Sequence, residues 1–193
     1  MRAIISVSDK QGIEDFARGI VELDYEIFST GNTKKALDAA GVPAKSISDI
    51  TGFPEILDGR VKTLHPMVYG GILARRDRPA HMAEIRKHKI EKIDLVAVNL
   101  YPFVQAVSKK GVTLQEALEN IDIGGPAMIR ASAKNFPAVI VIVEPGDYQP
   151  ILEKLKKGEL PLLERKKLAH KAFRHVAAYD TAIARYLHGD KVA

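Results

Sequence analysis

The sequence predicts an α/β fold with a mainly parallel sheet. Three observations lead there: short apolar stretches alternate with segments of 3.6-residue periodicity, Gly and Pro punctuate the changeovers, and one late stretch reads Val-Ile-Val-Ile-Val. Strands buried on both faces look like that last run, and strands alternating with helices build parallel sheets. The chain has 193 residues, 46% hydrophobic and 27% charged, enough for one domain with its own core. No linker, repeat or low-complexity segment divides residues 1–193, which are read as a single domain.

Taken in order, residues 3–7 form a buried strand. Ile13, Phe16, Ala17, Ile20 and Val21 then recur at helical spacing and make an apolar stripe that lies on a sheet. Residues 25–28 are the next strand, residues 29–33 a turn, and residues 34–40 a helix stopped by Gly41 and Pro43. Residues 46–78 are rich in Gly, Pro, Asp and Arg without sustained periodicity and read as a functional loop region. Residues 93–100 and 139–143 are the later strands. Residues 114–118, 126–134, 147–157 and 161–188 are helices, Pro126 suiting a first-turn position where its missing N–H costs nothing.

Composition excludes several chemistries. With no cysteine, disulfides, thiolate nucleophiles and cysteine-held metal clusters are impossible. No apolar run approaches the ~20 residues of a membrane span, and no export signal precedes the first strand, so the expected location is the cytoplasm with no membrane partner. The 29 basic and 24 acidic residues balance at 19 each over residues 1–150, leaving 10 against 5 in residues 151–193. Arg165, Lys166, Lys167 and Lys171 alternate there with Leu and Ala, as on the solvated face of an amphipathic helix. No aromatic array interleaves them, so no nucleic-acid partner is expected. No histidine spacing suits a metal, and none is expected.

Five segments carry candidate chemistry. Ser29-Thr30-Gly31-Asn32-Thr33 joins a strand to a helix, where N–H groups and hydroxyls meet the positive end of the helix dipole; it reads as a phosphate cradle or as a plain helix cap. Gly31 lets the backbone approach an anion, and Asn32 tolerates the same left-handed region. Ser6-Val7-Ser8-Asp9-Lys10 ends the first strand on the same sheet edge, where ligands of open α/β sheets collect. In Gly59-Arg60-Val61-Lys62-Thr63-Leu64-His65-Pro66 the two cations and a hydroxyl suit a phosphorylated ligand, or simply a solvated basic loop. Asn99-Leu100-Tyr101-Pro102 closes a strand with an amide and a phenol. Asp122-Ile123-Gly124-Gly125-Pro126 sets a carboxylate before a helix start, with Lys134 about two turns further on; this is an acid–base group beside oxyanion-holding N–H groups, or an ordinary cap.

Together, Ser-Val-Ser-Asp-Lys at 6–10, Ser-Thr-Gly-Asn-Thr at 29–33, Gly-Arg-Val-Lys-Thr-Leu-His-Pro at 59–66, Asn-Leu-Tyr-Pro-Phe at 99–103, Asn-Ile-Asp-Ile-Gly-Gly-Pro-Ala-Met-Ile-Arg-Ala-Ser-Ala-Lys-Asn at 120–135 and Phe-Arg-His-Val-Ala-Ala-Tyr-Asp at 173–180 resemble the IMP cyclohydrolase family. In that family the domain forms part of a bifunctional enzyme of purine synthesis. The resemblance implies a methylglyoxal-synthase-like three-layer α/β/α sandwich with C-terminal helices, a homodimer, and a reaction without metal or cofactor. The implied substrate is a purine ribonucleotide, 5-formamidoimidazole-4-carboxamide ribotide, which closes to IMP with loss of water.

By the same resemblance, Ser8, Lys10, Ser29, Thr30, Gly31 and Thr33 hold the 5′-phosphate, Arg60, Lys62, Thr63, Tyr101, Asp122, Gly124 and Lys134 lie around the base, and Asn99 is a further substrate-binding residue. Asp122 takes the carboxamide proton, Lys62 and Tyr101 relay, and Lys134 polarises the formyl oxygen. Family members commonly carry Gly where this chain has Asn32, so that position is expected to keep a glycine-like backbone or to shift a phosphate contact. The formyltransferase half has no counterpart in these residues, so the chain is read either as a stand-alone cyclohydrolase, with a separate formyltransferase supplying substrate, or as a fragment of the bifunctional enzyme. A non-catalytic module of the same fold that senses phosphorylated ligands is the alternative.

Overall fold

The computed structural model describes residues 1–158 and 160–190. In chain order the elements are β1 (Arg2–Ser6), α1 (Ile13–Val21), β2 (Glu26–Ser29), α2 (Gly31–Ala39), β3 (Lys45–Ser46), α3 (Ser48–Thr51), α4 (Pro66–Leu73), α5 (Pro79–Lys87), β4 (Leu95–Val98), α6 (Phe103–Val107), α7 (Leu114–Glu119), α8 (Gly124–Lys134), β5 (Ile140–Ile142), α9 (Tyr148–Lys156) and α10 (Leu162–His188). The sheet runs β3-β2-β1-β4-β5, and every neighbouring pair is parallel. Ala3 lies between Ile27 and Leu95, and Leu95 in turn faces Ile140. All five carboxyl ends therefore point to one edge, and the strand order changes direction at β1, whose later neighbour is β4. Crevices form at such a reversal, outside the strand ends.

The core is built as continuous apolar strands require. Ile4, Ile5, Val96 and Ala97 are fully buried, with Val141 close behind. Helices cover both faces, giving a three-layer α/β/α sandwich. Phe16 of α1 stacks on Tyr148 of α9 with ring centroids 4.8 Å apart. The helix α8 packs on β4 and β5 and against α4 and α10. Lys166 and Lys167 stay exposed on α10 while Leu168, Ala169, Ala172 and Val176 are buried.

Several boundaries differ from the sequence reading. The stretch 46–78 is not wholly loop: β3 adds a fifth strand at its start, and α3 and α4 lie within it. The helix α4 escapes a periodicity search because it is apolar nearly all round. A methyl group on Gly70 would stand 2.9 Å from Ile90 Cδ1, and one on Gly71 would stand 3.0 Å from Ile93 Cγ1. Pro66 opens α4, and His65 Nδ1 caps it by accepting the Met67 N–H at 3.2 Å. The helix α2 starts at Gly31 rather than residue 34, and α8 at Gly124 rather than Pro126.

Candidate active site

The first corner of the site lies where β1 and β2 end. Gly31 has φ +42, the left-handed value the turn needs. Asn32 does not share it: it is already the second residue of α2, so no glycine-like backbone is required there. The first intrahelical bonds of α2 come from the Thr33 and Lys34 N–H groups to the Thr30 carbonyl. The Gly31 and Asn32 amides precede them and point out of the helix start, where an anion is favoured. Thr30, 6% exposed, shares a 2.7 Å hydrogen bond with the Ser6 hydroxyl.

Three residues expected to touch the ligand are instead occupied in holding this corner together. Ser29 is fully buried and donates to the Ile5 carbonyl at 2.7 Å. The Thr33 hydroxyl accepts from Val7 N–H at 3.0 Å and donates to Val7 C=O at 2.9 Å. Asn99 Oδ1 accepts from the Ser8 and Asp9 amides at 2.6 and 2.9 Å, and its Nδ2 donates to the Asp9 carbonyl at 2.8 Å. These bonds fasten the end of β1 to β2, and the loop after β1 to α2 and the end of β4. Lys10 lies beside them, its ammonium donating to the Ser8 carbonyl at 3.3 Å.

The second corner is the start of α8. Asp122 Oδ1 accepts the Gly125 N–H at 2.9 Å. Burial pushes the Asp122 carboxyl above the usual carboxylate range, against the opposing pull of the Gly125 and Gly124 N–H groups and the Lys62 ammonium. Thr63, 4% exposed, is so close to the helix start that a methyl group on Gly124 would stand 2.7 Å from its Oγ1.

Lys62 joins the two corners. A methyl group on Gly31 would stand 4.0 Å from Lys62 Nζ, and the same ammonium acts electrostatically on Asp122. Its ion-pair partner is Glu55, at 3.7 Å. Arg60, on the same loop, pairs with Glu119 at the end of α7. The loop turns through Leu57, Asp58 and Gly59, all with positive φ, and closes through the Ile56–Val61 bridge.

Two expected residues stand apart from this cluster. Tyr101 lies beyond the end of β4 with half its surface exposed, over a groove lined by Gln105, Lys109 and Val112, and no hydrogen bond joins it to Lys62. Lys134 is exposed at the last residue of the 11-residue α8. Ten residues at about 1.5 Å each put it roughly 15 Å along the axis from Gly124. The far end of α8 is tied instead to the end of α4, through Asn135 Nδ2 donating to the Ile72 and Ala74 carbonyls at 2.7 and 3.1 Å. Lys134 therefore does not meet Asp122 within the chain.

Sequence reasoning missed two tyrosines. Tyr179 of α10 accepts the Asp122 backbone N–H at 2.7 Å. Tyr69 of α4 buries a hydroxyl that has no hydrogen-bond partner; burial, and then the Asp122 charge, push that phenol well up. Neither carries a local signal in the sequence: Tyr179 stands there only within the 173–180 motif, and the unpartnered Tyr69 hydroxyl shows only in three dimensions. Among the described residues no three His, Asp or Glu side chains gather as metal ligands do, and no helix is long and apolar enough to cross a membrane.

Comparison with known proteins bears on the family and the fold. Residues 12–127 match the MGS-like domain and residues 132–193 the AICARFT/IMPCHase bienzyme family. The chain is 58% identical over 187 residues to the bifunctional purine biosynthesis protein PurH of Chloroflexus aurantiacus, which covers 97% of this chain and 36% of the relative. It is 55% identical over 190 residues to the protein of that name from Staphylococcus aureus, covering 98% of this chain and 39% of the relative. The chain thus spans little more than a third of these relatives' length. A crystal structure of ForH superimposes with a TM-score of 0.90 at 38% identity, covering 100% of both chains. The chain belongs to the MGS-like domain family, and its residues 132–193 carry the pattern of the AICARFT/IMPCHase bienzyme.

Proposed function

We propose that the chain is an IMP cyclohydrolase of purine biosynthesis, closing 5-formamidoimidazole-4-carboxamide ribotide to IMP. The supporting observation is the position of Lys62, between an anion-ready helix start at Gly31 and a buried carboxyl at Asp122. A nucleotide with its 5′-phosphate at the Thr30–Gly31 corner lays its base toward Lys62 and Asp122. The names of the PurH relatives point to the same pathway.

The reaction needs little from the protein in the way of proximity, because both reacting groups sit on one imidazole ring. The carboxamide nitrogen attacks the formyl carbon, forming the new C–N bond, and Asp122 removes one proton from that nitrogen. A carboxylate raised by burial is a stronger base than an ordinary one, which suits this weak acid. Lys62 donates to the formyl oxygen as it gains charge. That oxygen takes a second proton from the Asp122 carboxyl and leaves as water, while the former formamide N–H returns its proton to Lys62 and the C=N bond forms. One oxygen and two hydrogens depart, and no redox change occurs. Arg60 and Thr63 line the approach, and Tyr101 stands at the open rim; Lys134 has no part in the scheme.

The test is ring closure followed by ultraviolet absorbance, with Lys62→Ala and Asp122→Asn beside the unmodified chain. Turnover is expected to fall by about 100-fold or more in each, with nucleotide binding by calorimetry changed much less. Nucleotide binding without turnover in the unmodified chain would instead identify a ligand-sensing module. Elution as a dimer would meet the family expectation of a homodimer.

A further inference from the structure

The aspartate at the centre of the site is held from the far end of the chain. Tyr179, 57 residues beyond Asp122, accepts its backbone N–H at 2.7 Å and donates to the Asn120 carbonyl at 3.4 Å. One phenol thus grips the main chain on both sides of Ile121. The Tyr179 ring is 9% exposed and lies edge-on to Phe103, with centroids 6.3 Å apart at 73°. Phe103 also meets Tyr186 edge-on at 5.6 Å, so the α6 ring that backs Tyr179 is itself held by a second tyrosine of α10.

Residues 120–123 belong to neither helix nor strand. The bonds that orient the Asp122 carboxyl are therefore its own contact with the Gly125 N–H, 2.9 Å away, and the phenol behind its main chain. We propose that Tyr179 is a positioning residue for Asp122, clamping residues 120–122 so that the carboxyl stays buried against the start of α8. The MGS-like match ends at residue 127, so the clamp comes from the segment that lies beyond it. The kinetic consequence rests on the cyclohydrolase reading; the clamp itself does not.

The groups facing Asp122 are Lys62 from its loop, Tyr69 from α4, the Gly124 and Gly125 amides of α8, and Tyr179 of α10, with Asp180 acting on Tyr179. Tyr179→Phe removes one oxygen and keeps the ring against Phe103. In the full chain, kcat should fall about 10- to 100-fold, the cost of a carboxylate misplaced by an ångström or less. KM should stay within about threefold. The acid limb of the kcat profile should move down toward an ordinary carboxylate as water reaches Asp122. Amide hydrogen exchange should rise at Asp122 and its neighbours while β1 and β4 keep their protection.

Unchanged kcat, acid limb and Asp122 exchange would overturn the proposal. So would a loss of protection spread evenly over the sheet, which marks a merely structural tyrosine. Should the unmodified chain fail to close the ring, the cyclohydrolase reading falls and Asp122 exchange alone decides the clamp.

Discussion

A methyl group at Gly124 tests how closely the Lys62–Thr63 loop is fitted to the start of α8. Alanine is the better helix former by up to about 1 kcal/mol, so an unconstrained Gly124→Ala would stabilise the protein. Here the new carbon would stand 2.7 Å from Thr63 Oγ1. Non-bonded heavy atoms settle at about 3.5 Å, so roughly 0.5–1 Å of movement is needed. Thr63 is 4% exposed and cannot swing into solvent, which leaves the loop or the helix start to give way. Overpacking of this kind costs about 1–3 kcal/mol, for a net loss of roughly 0–2 kcal/mol after the helix gain. Because Lys62 precedes Thr63, the same movement separates its ammonium from Asp122, and kcat should fall about 10-fold or more. Stopped ring-closure assays and chemical denaturation read both quantities, and adding Thr63→Ala should recover the lost stability. A Gly124→Ala chain that is more stable than the parent and turns over within about twofold of it would refute the fit between loop and helix.

The raised Asp122 carboxyl also makes a stability prediction. Its folded pKa lies above its unfolded value, so the folded state holds the proton more tightly and the group's contribution falls as pH rises through that window. Asp122→Asn should therefore melt higher than the parent at neutral pH, with the gap closing below about pH 4, where the unfolded carboxyl is also protonated. Equal melting temperatures at neutral pH would contradict it. Thr33→Val keeps the shape but strands the Val7 N–H and C=O; about 2 kcal/mol or more of stability should be lost in denaturant titrations. Glu119→Gln releases Arg60 from an exposed ion pair worth about 0–1 kcal/mol, so the nucleotide should bind up to about fivefold more tightly at low salt; weaker binding by calorimetry would count against a ligand role for Arg60.

How much of this was legible beforehand followed from the physics of each element. Strands such as 140–142 are apolar on both faces and announce themselves. The two-residue β3, Lys-Ser at the sheet edge, has neither an apolar face nor length, and it joins the sheet only because β2 is there to pair with it. The helix α4 is apolar nearly all round, so no stripe marks it, and its paired glycines looked like loop. In the site, Lys62 and Asp122 stood out only through the motifs they belong to, because alone a cation in a patternless loop reads equally as a solvated charge and an acid before Gly-Gly equally as a helix cap. The polar residues of 29–33 and Asn99 carry no such distinction: a sequence does not show whether a hydroxyl faces a ligand or a neighbouring carbonyl. Lys134 was placed by its motif, and the length of α8 carries it away. Tyr179 was visible as a residue but not as a partner of Asp122, since contacts across 57 positions leave no local trace.

The stitching by Ser29, Thr33 and Asn99 bears on how this protein answers to genetics. A growth screen that scores surviving alleles would rank these three beside Lys62 and Asp122, because slackening the rim and removing its chemistry abolish the same flux. Alleles of the first kind should be rescued by cooling or by a second-site change that firms up the core, whereas alleles of the second kind should not. Temperature sensitivity, rather than severity, is what separates the masonry of this rim from its working parts.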